Sequence, residues 1–233
     1  MAVAALDAAG SLISSNNLAY TIGSGVNRVL IVVVCQEVAS STQLAVAYGG
    51  ESMTAIVGIA AVDTLDARVD LYYLNNAGIE AASGNFVNLT SPPTDYIIIA
   101  RSYKGARQTA PTVIDSESAL GDLDPLTNIQ ISSEKGSAVI GAGFTGIVET
   151  GVTWAGTNPL TAVLDVGDGT MHGAFGERFS TGTETVNHNL TFNEAVNRVV
   201  GVALKLFAAA LIDGVSVSKL GGSFFTTIDG VAV

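Results

Sequence analysis

Asn197-Arg198-Val199-Val200-Gly201-Val202-Ala203-Leu204-Lys205-Leu206 runs apolar and alternates only in part. A strand buried in a sheet on both faces reads this way, because neither face has to meet water. Similar runs recur along the chain, many of them β-branched and bounded by Gly, Asn, Ser or Asp. They predict strands over 27–37, 43–48, 53–61, 67–75, 84–90 and 95–103. A second series is predicted over 137–146, 150–155, 160–166, 171–180, 184–192 and 197–207. Helix signals are poor, and only residues 2–9 and 115–124 suit a turn or two of helix. The chain reads as all-β.

The two series echo each other. Val46-Ala47-Tyr48-Gly49-Gly50, followed by Met53-Thr54-Ala55-Ile56-Val57, matches Val152-Thr153-Trp154-Ala155-Gly156, followed by Leu160-Thr161-Ala162-Val163-Leu164. Asn88-Leu89-Thr90 ahead of Tyr96-Ile97-Ile98-Ile99 matches Asn189-Leu190-Thr191 ahead of Val199-Val200-Gly201-Val202. The order is kept at a spacing of about 100 residues, which predicts an internal pseudo-duplication. Between the halves, residues 104–136 are too many for a hairpin loop. They are expected to cross from one sheet to the other, as a jelly roll or Greek key requires. The expected fold is a jelly-roll-like β-sandwich over 1–208 with a β-repeat tail over 209–233. Two tandem minidomains are the alternative.

The tail is the most regular stretch. Ile212-Asp213-Gly214-Val215-Ser216-Val217 is followed by Leu220-Gly221-Gly222-Ser223-Phe224-Phe225 and then by Ile228-Asp229-Gly230-Val231-Ala232-Val233. Apolar residues recur at 212, 220 and 228, and glycines at 214, 222 and 230, so each unit is a short strand behind a turn signal. Chain ends fray unless something ties them down. Adjacent strand residues face opposite sides, so one of Phe224 and Phe225 is expected to pack on its own body and the other on a neighbour. Ile212, Val215, Val217, Leu220, Phe224, Phe225, Ile228, Val231 and Val233 are therefore the candidate assembly residues, and a homo-oligomer, with a trimer as the guess, is the expected state.

Composition narrows the function. The 233 residues are 48% apolar and 13% charged, which suits an all-β protein with a real core and excludes disorder. The net charge of −11 and the lack of a basic cluster argue against nucleic acid as a partner. Apolar runs are far shorter than the roughly 20 residues of a spanning helix, so no membrane insertion is expected. The first basic residue is Arg28, so the charged start of a signal peptide is missing and the chain is expected to be made in a cytoplasm. The lone Cys35 lies in an apolar run and reads as a buried, inert thiol.

Motifs for chemistry are weak. Gly141-Ala142-Gly143-Phe144-Thr145-Gly146 fits a dinucleotide fingerprint, but the helix that must follow is replaced by strand residues 147–154. Close sheet packing is the simpler reading of these glycines. His172 and His188 lack the spacing of a zinc site, and His172 with Glu177 is only half of a cupin-like metal motif. Asp165-Val166-Gly167-Asp168-Gly169-Thr170 reads as an Asp-Gly hairpin turn in preference to a calcium loop. Glu149, Asp165, Asp168 and Glu177 supply carboxylates for glycoside hydrolysis without singling out a pair. No catalytic, cofactor-binding or metal-binding residue is predicted.

Asn27-Arg28-Val29-Leu30-Ile31-Val32, Val46-Ala47-Tyr48-Gly49-Gly50-Glu51-Ser52-Met53-Thr54, Leu71-Tyr72-Tyr73-Leu74 and Tyr103-Lys104-Gly105-Ala106-Arg107-Gln108-Thr109-Ala110-Pro111 stand in a recognisable order. Order and spacing resemble a jelly-roll-like β-sandwich module that recurs in phage structural proteins and bacterial surface proteins. The resemblance covers residues 20–207, and the tail repeats resemble short β-repeats at the ends of phage particle proteins. Where the module usually has a small polar pair before the glutamine, this chain has Ala106-Arg107. The resemblance implies a binding or structural module and brings no catalytic residues. The expected protein is a non-enzymatic virion component (surface decoration, head spike or tail-fibre subunit) whose partners are itself and other virion proteins. The alternative is a carbohydrate-binding module that recognises a cell-surface glycan through Trp154 and Tyr48.

Overall fold

The computed structural model describes residues 2–37, 43–61, 67–111, 113–120, 129–146, 151–192, 198–209, 211–212, 215–220, 223–228 and 231–232. Val29–Glu37 is the heart of a six-stranded antiparallel sheet, paired to Tyr96–Lys104 on one side and Ala67–Asn75 on the other. Ala4–Ala5 and Gly10–Ile13 pair with the far side of Tyr96–Lys104, and Thr54–Ala61 forms the opposite edge. A five-stranded sheet repeats the plan. Ala138–Thr145 lies between Arg198–Leu206 and His172–Phe179, with Val113–Leu120 and Thr161–Gly167 at the edges.

The duplication extends to local irregularities. The register slips at a β-bulge between Ala55 and Val57 in one copy and between Ala162 and Leu164 in the other. These are the residues whose sequences echo. Each main sheet also carries a smaller partner. In the first half it runs Leu18–Ala19, Phe86–Leu89, Val46–Tyr48, Glu51–Ser52. In the second half Gln130–Ser133 pairs with Glu184–Asn187, and Val152–Ala155 with Asn189–Phe192. One echo shifts by two residues. With Val46 matched to Val152, the pairs Val46↔Leu89 and Val152↔Phe192 equate Leu89 with Phe192 instead of Leu190.

Packing explains the unbroken apolar runs. The two main sheets face each other across one core, in which Ile31, Val33, Leu71 and Ile99 meet Ile140, Phe144, Phe175 and Val202. The outer face of the first sheet, with Val32, Tyr72 and Ile98, packs on its small sheet through Tyr48 and Val87. The outer face of the second does the same through Val139, Ala203, Ile131 and Val186. The result is four layers, small–large–large–small, and the central strands are apolar on both sides because both sides are covered. The body is neither one plain two-layer sandwich nor two separate minidomains: its halves share their largest core.

Just past the last main strand of each half the two copies touch. Ala106 bridges Ala208 in antiparallel fashion, Arg107 N donates to Phe207 O at 2.8 Å, and Ala209 N donates to Gly105 O at 2.8 Å. Equivalent segments paired antiparallel are what a two-fold axis generates. The pairing also extends the body through Ala209.

Two local expectations are corrected. Residues 2–9 and 115–120 do not start helices: Ala4–Ala5 pairs with Tyr103 and Lys104, and Val113–Leu120 pairs along Arg198–Leu206, while 121–124 lie outside the described residues. Sheet pairing outweighs their weak helix propensity. The helix is Asn76–Ala81 instead, where the side chain of Asn75 accepts from Gly78 N at 3.0 Å and Ile79 is buried. The crossing segment carries the chain from the first main sheet to the edge of the second. Gln108 fastens its start, accepting from Asn76 N and donating to the carbonyls of Arg28 and Ala106.

Tyr48 and Glu51 pair across Gly49-Gly50, whose φ angles of 54° and 93° fit a two-residue hairpin turn. Beside the small sheet, buried Asp70 takes Arg68 Nε at 2.7 Å, Arg68 Nη2 at 2.8 Å, and the amides of Gln36 and Gln43 at 3.2 Å each.

The tail folds on itself. Leu211–Ile212, Val215–Leu220, Ser223–Ile228 and Val231–Ala232 form a four-stranded antiparallel meander. Ile212↔Val215, Leu220↔Ser223 and Ile228↔Val231 are the closing pairs of successive strands. The backbones of the candidate assembly residues lie in this sheet, apart from Val233, which is outside the described residues. Their inner edges are satisfied within the chain, which leaves only the outer strands to pair with a neighbour.

Candidate functional site

Of the two rings proposed for sugar stacking, Tyr48 is a core ring and Trp154 is partly buried. Tyr48 is 4% exposed and its hydroxyl donates to Tyr20 O at 3.0 Å. Trp154 stands edge-on to His188, centroids 4.7 Å apart, and packs with Leu160 and Leu190. Both occupy the inward positions of their short strands, and Tyr48 offers no face to a glycan.

The glycine motif is a packing device. Gly141 and Gly143 lie in the central strand Ala138–Thr145, and a Cβ at either would enter His188 and Leu160 or Leu190. No nucleotide-binding helix follows among the described residues. His172 and Glu177 sit on one strand but point to opposite sheet faces, so they do not share a metal. His172 Nε2 meets the Asp165 carboxylate, and no group of His, Cys, Asp or Glu is arranged for a metal among the described residues. Asp168 closes a turn: its Oδ1 accepts from Thr170 N, Thr170 Oγ1 and Met171 N, and these bonds hold its carboxyl below the usual range. The hairpin reading of 165–170 stands. Glu149 is outside the described residues. Burial pushes the Cys35 thiol far up, as an inert core cysteine requires.

Near this turn, burial and then the negative charges of Asp95 and Asp168 push the Glu37 carboxyl up. A carboxylate whose folded pKa is raised is ionised at a cost at neutral pH, and the cost vanishes once it is protonated in both states. Glu37→Gln is therefore expected to raise the melting temperature at pH 7, with the gain lost below about pH 4. Thermal melts at the two pH values check this, and an equal gain at both would refute it.

A groove of about 490 Å³ opens where the edge strand Thr161–Gly167 borders the shared core. Thr161, Ala162 and Val163 form one wall, and Phe179, at 37% one of the most exposed large apolar side chains described, forms a lip. Arg101 and Glu177 line the floor, one from each main sheet. Arg101 Nη2 donates to Glu177 Oε1 at 2.7 Å and Arg101 Nε to Oε2 at 3.3 Å. Tyr103 OH donates to Glu177 Oε2 at 2.8 Å, and Arg101 Nη1 to Asp7 O at 2.6 Å. Burial, followed by the Glu177 charge, drives the Tyr103 phenol well up, so it remains a donor. Register sets Thr161 directly opposite Glu177.

Glu177 is the one carboxylate among the lining residues. Asp165 lies opposite Ala174, farther along the same hairpin, so the groove does not assemble the facing pair that glycoside hydrolysis needs. The sequence reading missed Arg101, Tyr103 and Phe179. A signal existed: Arg101 is a lone cation directly after the apolar run Ile97-Ile98-Ile99-Ala100. Comparison with protein-family models, with curated proteins and with solved structures found no match in any of the three.

Proposed function

We propose that the chain is a non-enzymatic structural subunit of a phage or phage-like particle, a surface decoration, head spike or tail-fibre subunit, that assembles through its C-terminal β-repeats. The observation that carries this reading is the meander of four short strands beyond Ala209. A small sheet has two faces and needs a partner to cover at least one of them. The open outer edges of the meander invite pairing with a neighbouring copy. The body fits a particle scaffold. With Thr54–Ala61 counted as an added edge, and Ala4–Ala5 and Gly10–Ile13 as one interrupted strand, the first half runs first-eighth-third-sixth over second-seventh-fourth-fifth, an order that supports a jelly-roll reading.

Solution mass by light scattering, on the full chain and on a chain ending at Ala209, tests the proposal. The full chain is expected to be a discrete oligomer, with three copies as the leading number, and the shortened chain a monomer with the same melting temperature. Two monomers would overturn it. The cut belongs after Ala209, because ending at Leu206 would also remove the pairing with Gly105 and Arg107.

A further inference from the structure

We propose that the groove between Thr161–Val163, Phe179 and the Arg101–Glu177 pair binds a neutral saccharide. The argument starts from the duplication. Matching Val29 to Ala138 through the registers equates Tyr103 with Leu206, Arg101 with Leu204, and Glu177 with Tyr73. The same place in the other copy is therefore built from Leu204, Leu206 and Tyr73, all in the shared core. The fold needs no ion pair there: the one side-chain polar group, the Tyr73 hydroxyl, donates to Arg107 O at 3.2 Å. Burying an ion pair instead gives little or no stability, because desolvation offsets the attraction. A charged pair in one copy, beneath an open groove, points to a ligand.

The chemistry of the lining selects the ligand class. Arg101 and Glu177 neutralise each other, and Arg178, the other cation in the lining, is paired with Glu184 at 2.8 Å, so the groove has no unpaired charge for an ion, and the net charge of −11 disfavours an anion further. Arg101 has five N–H groups, and three are used by Glu177 and Asp7, which leaves one on each terminal nitrogen. Beside them the Glu177 oxygens accept, and the Thr161 hydroxyl does both. Adjacent donors and acceptors match the vicinal hydroxyls of a sugar, which donate and accept at once. Phe179 supplies the apolar face on which the C–H side of a pyranose rests. The volume of about 490 Å³ suits a ligand of one or two rings. The proposal does not depend on the tail.

The test is a titration of the full chain, followed by NMR chemical shifts, with the methyl glycosides of glucose, galactose, mannose and N-acetylglucosamine. At least one is expected to bind saturably, with a dissociation constant of about 1–10 mM. Phe179→Ala and Thr161→Val alter groove-facing positions and are expected to weaken binding about tenfold each, with unchanged melting temperatures. Trp154→Phe is expected to leave binding alone. Absence of saturable shifts with all four glycosides at about 50 mM would overturn the proposal. So would binding that persists undiminished in Phe179→Ala, or displacement of the glycoside by sodium sulfate, which would mark an anion site on Arg101.

Discussion

An Asp70→Ala chain is expected to be about 3–5 kcal/mol less stable than the parent, since the change strands a buried guanidinium. Asp70 is fully buried and takes two hydrogen bonds from Arg68 and one each from Gln36 and Gln43. Removing the carboxylate leaves these donors facing a methyl group in a place where water is excluded. Replacing both charges with apolar residues, Arg68→Met with Asp70→Leu, should restore most of the loss, because the pair itself contributes little net stability. Urea midpoints of the three chains measure the effect. A single-variant loss below about 1 kcal/mol would show that the network is not sealed from solvent.

Phe175→Ala is expected to cost about 3–5 kcal/mol, the range for emptying an aromatic site in a packed core. In a chain of this length that corresponds to a fall in melting temperature of about 6–20 °C. Phe175 belongs to the second half but packs in the core that both halves share. Calorimetry should therefore show one transition that shifts as a whole. A split, in which residues of the first half keep the parental melting temperature, would mean that the halves fold as independent units.

The strands of the two main sheets were legible because they are buried on both faces and so leave unbroken apolar runs, as at Val29–Cys35 and Val200–Leu204. The duplication was legible through Thr54-Ala55 and Thr161-Ala162, where a bulge constrains the local sequence. The same double burial hid the rest. A strand without alternation does not say which face meets which layer, so the back-to-back stacking of the large sheets could not be read. The edge strands Ala4–Ala5 and Val113–Leu120 carry too little apolar pattern and form because a partner edge is waiting. The groove was invisible for another reason: Arg101 and Glu177 lie in different halves, and only the stacking brings them together.

Arg198–Leu206, the strand that leads to the tail, is hydrogen-bonded on both sides, to Val113–Leu120 and to Ala138–Thr145. Antiparallel hydrogen bonds lie across the strand direction. Tension drawn along the tail therefore loads both ladders in shear, with many bonds strained together. An edge strand peeled sideways would release them one by one. If a neighbouring subunit pulls on this chain, the force enters the molecule where it is mechanically hardest to unzip.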